Sequence, residues 1–220
     1  YLQGVRALCD RYGIVYIADE VMVGFGRLGE WFGIDAFDAS PDLITFAKGV
    51  NSGYVPLGGV VISDRIASAF DTMPFAGGLT YSGHPLACAA GVATFEVFRR
   101  DGILERVRDL GTRIVEPTVR SWAEKHPSVG DVRGLGLFWA VELVRDTQTR
   151  EPLVPFNASG ADAAPMGAFA AAAKKGGVWP FTHFNRMHVA PPLVISEDDL
   201  VRGLAALDDA LFVADEAAAG

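Results

Sequence analysis

An acidic pair and a lysine stand out as side chains that could perform chemistry together. Asp19 and Glu20 end an apolar run in YIADEVMVGFGRLG (residues 16–29), and Lys48 ends a second apolar run in TFAKGV. The carboxyl ends of neighbouring parallel strands meet at one edge of a sheet, where such sheets bind ligands. An Asp that pairs with a pyridine nitrogen and a Lys that forms a Schiff base are the minimal apparatus of a pyridoxal-phosphate enzyme.

Two other chemistries begin with similar residues. An apolar run that ends in Asp-Glu binds magnesium in many ATPases, but that chemistry also needs a GxxxxGK[ST] loop, and these 220 residues contain no Gly-Lys dipeptide. The ATPase interpretation is thereby weakened, and it stays open as a distant alternative. Gly24, Gly26 and Gly29 match the dinucleotide pattern GxGxxG. That interpretation is set aside, because the glycines do not follow the strand directly and the residues after Gly29 do not predict a helix.

The composition excludes several classes of partner and site. The 220 residues carry a formal net charge of -8 with a pI near 4.9, which does not indicate binding to nucleic acid or to an anionic membrane. The longest uncharged stretches, residues 49–63 and 163–173, are shorter than the roughly 18 apolar residues of a membrane helix. Cys9 and Cys88 lack the spacing of a zinc site or a disulfide framework, so we expect no metal and a cytoplasmic location.

The periodicity of the first half predicts an α/β domain. A helix over residues 2–12 is followed by three short β-rich runs that read as buried strands. This order indicates a largely parallel sheet, whose first strand is buried on both faces. The expected strands cover residues 14–18, 41–47 and 58–62.

The second half predicts a smaller α+β domain, joined through a long Ala-rich helix. Residues 129–143 predict a strand, a Gly-rich bend and a second strand, and residues 145–160 predict a loop. The last helix opens at Ser196 with the spacing of a capping box. The other elements expected here are helices over residues 84–99, 103–122, 166–175 and 197–213, and a strand over residues 187–190.

Four motifs, in order along nearly the whole chain, resemble the class III (ω-amino acid) aminotransferases, which have the type I pyridoxal-phosphate fold. They are IADEVMVGFGRLGEWF, LITFAKGVNSGYVPLGGVVIS, GGLTYSGHPLACAA and VGDVRGLGLFWAVEL. The resemblance implies that residues 1–98 are the C-terminal part of the large cofactor-binding domain, and that residues 99–220 form the small C-terminal domain. It also implies that the chain is the C-terminal portion of a longer protein, since the family's phosphate cup and ring-stacking residue precede the first motif.

The resemblance also assigns roles to individual residues. Asp19 would pair with the pyridinium nitrogen, Lys48 would form the Schiff base, and Val21 would pack against the cofactor ring. Thr80 would bind the cofactor phosphate of the neighbouring subunit, which implies a homodimer with shared active sites. For Val21 and Thr80 the alternatives are plain core packing and an ordinary loop hydroxyl. Glu20 and the glycines after it are expected to be turn and packing elements.

The expected reaction moves an amino group from an ω-amino acid or amine to a keto acid such as pyruvate. The segments SGYVPLGG and PFTHFNR look most like members that act on taurine, β-alanine or similar donors. Arg186 is the candidate for the substrate carboxylate, with a structural role as the alternative, because Phe181 stands where amine–pyruvate members have their arginine. A pyridoxal-phosphate aminomutase or decarboxylase, and a fold relative without catalysis, are the alternative functions.

Overall fold

The computed structural model describes residues 1–219 and divides into two compact units, Tyr1–Arg106 and Val107–Gly220. The first unit consists of three strands, a set of helices and short 3-10 turns. The α4 helix spans the boundary between the units. The elements are α1 (Leu2–Tyr12), β1 (Ile17–Asp19), β2 (Leu43–Phe46), β3 (Gly59–Ile62), α2 (Asp64–Ala67), α3 (Pro85–Arg100) and α4 (Ile103–Leu110), with 3-10 turns at Gly33–Phe37, Lys48–Asn51 and Ser68–Phe70.

The sheet of the first unit has the order β1-β2-β3. β1 runs parallel to β2, with Ile17 opposite Leu43 and Asp19 opposite Thr45, and β3 is antiparallel to β2. Because β1 and β2 run in the same direction, their carboxyl ends lie at the same edge of the sheet. The expectation of a largely parallel sheet is corrected to a mixed one, since GGVVI forms an antiparallel strand.

One face of this sheet is packed and the other is open. Tyr16 and Ala18 join Cys9 and Ile34 in a hydrophobic core formed with α1 and the turn Gly33–Phe37. The expected burial of this strand on both faces is wrong, because Ile17 on the opposite face is 56 % exposed. Burial thus alternates along β1, as it does in a sheet with one covered face.

β1 is also shorter than predicted and begins later. The carbonyl of Tyr16 already accepts the amides of Asp42 and Leu43, and the strand ladder begins with Ile17 opposite Leu43. The register of β2 therefore fixes where β1 starts, which the apolar run of residues 14–18 does not reveal. The prediction for α1 is confirmed at both ends, and Gly13 ends that helix with a left-handed φ of 65°.

The second unit packs helices against an antiparallel sheet of order β4-β5-β8-β7, with β6 beside β5. The two-strand prediction for residues 129–143 and the strand near residue 187 are confirmed, whereas β6 and β7 were not predicted. The elements are a π turn (Gly111–Val115), α5 (Glu116–Lys125), β4 (Val129–Leu135), β5 (Phe138–Asp146), β6 (Glu151–Pro152), a 3-10 turn (Gly160–Ala163), α6 (Ala164–Lys175), β7 (Phe181–His183), β8 (Arg186–Val189) and α7 (Glu197–Ala219).

The long α7 helix is positioned by an apolar stripe and by a buried polar cluster. Leu200, Leu204, Leu207 and Leu211 repeat at helical spacing and are buried. In the second half of this helix, Asp208 and Asp215 contact the two ring nitrogens of the fully buried His126 at 3.0 Å and 2.6 Å. None of the helices described in residues 1–219 combines the length and apolar character that crossing a membrane requires.

Candidate active site

Asp19 and Lys48 lie at the same edge of the first unit's sheet. Asp19 is the last residue of β1, and the parallel ladder continues one step further, where the Glu20 amide donates to the Thr45 carbonyl at 2.9 Å. β2 ends one residue after Thr45, at Phe46, and Ala47 follows. Lys48 comes next and opens the 3-10 turn Lys48–Asn51. Both side chains are exposed. The sequence prediction of a strand-end acid and a strand-end lysine on adjacent parallel strands is confirmed.

The loop after Asp19 packs directly against the turn that carries Lys48. A Cβ atom on Gly49 would lie 2.9 Å from the Cβ of Phe25 and 3.3 Å from the Gly24 carbonyl oxygen. The missing side chain at position 49 therefore lets the two segments approach each other closely. Phe25 continues this contact, because its ring lies 5.5 Å from that of Phe46 in β2 and 5.7 Å from that of Phe95 in α3.

The backbone of Lys48 has an unusual conformation. Its φ angle is 41°, in the left-handed region that residues other than Gly, Asn and Asp seldom adopt. The next residues hold this turn in place, since Val50 and Asn51 are buried and the Asn51 amide donates to the Val55 carbonyl at 2.5 Å. Strained residues of this kind occur preferentially at functional sites.

The side chains of Asp19 and Lys48 fit a pyridine ring that carries an aldehyde. One oxygen of Asp19 accepts the Val21 amide at 3.1 Å. Within residues 1–219, its other oxygen and the Lys48 ammonium form no hydrogen bond or ion pair. An available carboxylate oxygen and an available amine are the two groups that would hold a protonated ring nitrogen and an aldehyde carbon.

Val21 and Thr80 belong to the same unit as Asp19 and Lys48. Val21 is half-buried and is the first residue of the turn that follows Glu20, so it does not continue the extended segment of β1. Thr80 is exposed and lies in the loop that leads into α3. α3 packs on the Lys48 turn, where a Cβ atom on Gly91 would come 3.7 Å from the Val50 carbonyl. No hydrogen bond joins Thr80 to the other three residues within the described chain.

Arg186 lies in the second unit, on a sheet face that carries further basic residues. It pairs with Glu142 of β5 and with His183 of β7 in the strand register. Its guanidinium forms no hydrogen bond or ion pair with any residue from 1 to 219. Burial, together with the charges of Arg186 and His183, lowers the pKa of His188 on the same face. A cavity of about 670 Å³ in this unit is lined by His188 and Phe181, but by none of the five predicted site residues.

Glu20 is buried, although its neighbour Asp19 is exposed. Its two carboxylate oxygens accept the amides of Gly33 and Ile34, each at 2.7 Å. Burial raises the pKa of Glu20, and the two amide donors oppose this effect. The expectation that Glu20 is a turn and packing element is confirmed. Its amide partners were not predicted, although adjacent residues of a strand point to opposite faces and one of two neighbouring acids must therefore face inward.

The glycines after Glu20 form a compact turn and do not open a helix. The Phe25 amide donates to the Trp31 carbonyl at 2.6 Å, and the Gly29 amide donates to the Gly26 carbonyl at 3.0 Å. Gly26 and Gly29 have φ angles of 89° and 91°, which only glycine adopts readily. A dinucleotide fingerprint needs a helix N-terminus directly after the glycines. The sequence argument against that interpretation is confirmed.

Comparison with known proteins finds relatives of one family along nearly the whole chain. The family model for aminotransferase class-III matches residues 1–211. The taurine–pyruvate aminotransferase of Bilophila wadsworthia is 34 % identical over 98 % of this chain and 48 % of its own length. A probable 4-aminobutyrate aminotransferase of Bacillus subtilis is 37 % identical over 96 % of this chain and 46 % of its own length.

A solved structure with the same fold is that of the taurine:2-oxoglutarate aminotransferase from Bifidobacterium kashiwanohense, in complex with PLP and glutamate. It superposes with a TM-score of 0.91 at 44 % identity, over 98 % of this chain and 48 % of that one. The likeness confirms the predicted type I fold. The chain spans about half the length of the curated relatives it matches.

Proposed function

Because this chain belongs to the class III aminotransferases, we propose that the protein moves an amino group from an ω-amino acid or amine to a keto acid such as pyruvate. Pyridoxal 5'-phosphate is the cofactor of the family. The observation that carries the proposal is the shared sheet edge of Asp19 and Lys48, where one Asp19 oxygen and the Lys48 ammonium form no hydrogen bond or ion pair within residues 1–219. The relatives that match this chain are named as aminotransferases, which supports transamination.

Each of the two residues has a separate task. The cofactor, when bound, supplies a ring that accepts the electron pair left on a carbon atom after proton removal. Asp19 holds a proton on the pyridine nitrogen, because an anionic carboxylate beside that nitrogen favours its cationic form. Lys48 would hold the cofactor through Nζ, and its amine would move a proton to and from the substrate carbon.

The remaining roles follow the family resemblance. Val21 packs against the cofactor ring, and the Thr80 hydroxyl donates to the cofactor phosphate of the neighbouring subunit, so the functional unit is a homodimer. The loop position and exposure of Thr80 support its role in a contact outside its own chain. We assign residues 1–98 to the C-terminal part of the large domain and residues 99–220 to the small domain, and the presence of two compact units, which meet at Arg106, supports this division. The enzyme acts in the cytoplasm.

The amino donor is a small molecule with an acidic group, such as taurine or β-alanine. Names of relatives that include taurine and 4-aminobutyrate support this choice. Arg186 binds the acidic group of the substrate, which is supported by its guanidinium having no ion-pair partner within residues 1–219. A planar guanidinium donates two parallel hydrogen bonds to a carboxylate, which suits this task.

A transamination assay on the complete protein tests the proposal. Holoenzyme is incubated with taurine, β-alanine or propylamine, with and without pyruvate, and alanine and the lost donor are both quantified. The proposal predicts one alanine for each donor consumed, no turnover without pyruvate, and no turnover by Lys48→Ala. Donor consumption without a keto acid would instead indicate decarboxylase or mutase chemistry.

A further inference from the structure

We propose that Glu20 is a positioning residue, which turns Asp19 toward the cofactor by fastening the end of β1 to the far end of the following loop. The proposal rests on the function proposed above, and it adds a residue that does not itself touch the cofactor.

The first observation is that every polar group of Glu20 forms a hydrogen bond. Its amide donates to the Thr45 carbonyl at 2.9 Å, and its carbonyl accepts the Gly24 amide at 2.9 Å. Its two carboxylate oxygens accept the amides of Gly33 and Ile34 at 2.7 Å. Glu20 therefore connects three segments: β2, the turn that ends at Gly24, and the segment Gly33–Ile34 at the far end of the loop.

The second observation is the alternation of burial around Glu20. Ala18 and Glu20 are buried, Asp19 is exposed and Val21 is half-buried. Successive side chains of an extended segment point to opposite sides. When Glu20 is fixed on the core side, Asp19 before it must point to the open side.

The third observation is that the loop is fitted closely to this anchor. A Cβ atom on Gly24 would lie 2.7 Å from the Glu20 carbonyl oxygen, and one on Gly33 would lie 2.8 Å from the Cγ2 atom of Val23. Neither position has room for a side chain without movement. The strand end and the loop thus form one rigid piece, and a shift of Glu20 moves Asp19 with it.

A buried carboxylate needs this many donors, because a buried charge without partners is costly. An amide in its place has only one acceptor oxygen, so the NH₂ group of Glu20→Gln faces one of the two backbone amides and one hydrogen bond is lost. Since small displacements of reacting groups slow catalysis strongly, we expect the kcat of Glu20→Gln to fall by about 10- to 100-fold.

The matched control is Asp35→Asn in the same loop. The Asp35 carboxylate also accepts a backbone amide, that of Phe32 at 3.3 Å, but it is exposed and does not adjoin Asp19. The control should retain wild-type kcat. Asp35→Asn also removes a carboxylate that accepts a backbone amide of this loop. Its kcat therefore shows how much a local structural change alone affects catalysis.

The experiment compares the two variants with wild type as holoenzymes. Absorbance of the bound cofactor is titrated with pH, and hydrogen exchange of the peptide that contains residues 32–35 is measured. Glu20→Gln should exchange these amides faster and shift the absorbance titration, since Asp19 no longer fixes the proton on the ring nitrogen. Faster exchange with an unchanged titration and unchanged kcat would show that Glu20 only holds the loop, and would overturn the proposal.

A second measurement needs no variant and covers the case in which Glu20→Gln does not fold. Coupling between sites is reciprocal. In wild type, cofactor binding should therefore slow exchange of the Gly33 and Ile34 amides and leave that of α1 unchanged, and equal exchange with and without cofactor would overturn the proposal. A wild-type protein that shows no cofactor absorbance at all would instead contradict the proposed function itself.

Discussion

Lys48 combines a reactive role with a backbone conformation that does not suit a lysine. At the residue scale this has a measurable consequence, because a left-handed conformation costs an L-residue free energy that glycine does not pay. With a φ angle of 41° at position 48, we expect Lys48→Gly to be more stable to urea than Lys48→Ala by about 1 kcal/mol. Both variants should lose the covalent link to the cofactor.

Glu124 provides the matched control for this pair. It lies on the exposed side of α5, in ordinary helical backbone. There the order should reverse, and Glu124→Gly should be less stable than Glu124→Ala by about 1 kcal/mol. The same order at both positions would show that the conformation of Lys48 stores no strain.

Asp42 makes the first unit sensitive to acid. Its carboxylate accepts the Tyr16 amide at 2.8 Å and contacts Arg65 at 2.7 Å and Arg6 at 3.0 Å. These donors, the amide first, lower the pKa of Asp42 well below its usual range. A lowered pKa stabilises the fold at pH values above the unfolded pKa of about 4, and this stabilisation is lost as the pH falls further.

Asp42→Asn should therefore reduce the free energy of unfolding at neutral pH, with the difference from wild type shrinking below about pH 4. Urea unfolding between pH 3 and pH 7 measures it. Asp38→Asn is the control, since the Asp38 carboxylate has no hydrogen-bond partner within residues 1–219. A stability difference for Asp42→Asn that does not vary with pH would contradict the assigned role.

At the scale of elements, the π turn between α4 and α5 is fitted closely to the β4–β5 bend. A Cβ atom on Gly111 would lie 2.7 Å from the Cα of Gly136 and 2.8 Å from its carbonyl oxygen, and these backbone atoms cannot move aside easily. Gly111→Ala should therefore destabilise the protein by about 1 to 3 kcal/mol. Gly167→Ala in α6, where no atom lies within 4 Å of the added Cβ, should stabilise it by up to about 1 kcal/mol. Urea unfolding of both variants tests the contrast, and a neutral Gly111→Ala would contradict the close packing.

The elements also show how far the sequence could be interpreted. α1 was predicted at both ends because Gly13 supplies a local stop signal, and α3 because its apolar spacing is long and regular. β7 was missed because three residues carry too little periodicity, and it exists only through its pairing with β8. The start of β1 depends likewise on the register of β2.

In the candidate site, too, local features were predictable from the sequence and long-range contacts were not. The types and spacing of Asp19 and Lys48 pointed to a shared sheet edge, since strand ends follow from local pattern. The partners of Glu20 were not predictable in this way, because Gly33 and Ile34 meet it only through the path of a folded loop. The left-handed φ of Lys48 likewise has no signal in its residue type.

At the scale of the whole molecule, the proposed role of Thr80 predicts exchange between subunits. If Thr80 serves the neighbour's cofactor, a mixed dimer of Lys48→Ala and Thr80→Ala contains one intact site, made of Lys48 from one subunit and Thr80 from the other. Denaturing and refolding the two variants together should yield more activity than refolding either alone. Thr80→Ser, which keeps the hydroxyl, serves as the control for Thr80→Ala, and no gain on mixing would contradict the shared site.

The most direct test of the central claim is to find where the cofactor attaches. The complete protein is incubated with pyridoxal 5'-phosphate, reduced with borohydride, digested and mapped by mass spectrometry, with Lys48→Ala treated in parallel. We predict a single reduced cofactor adduct on Lys48, and none on the variant. A folded protein with unmodified Lys48 and no cofactor absorbance, or one modified equally at other lysines, would contradict the account.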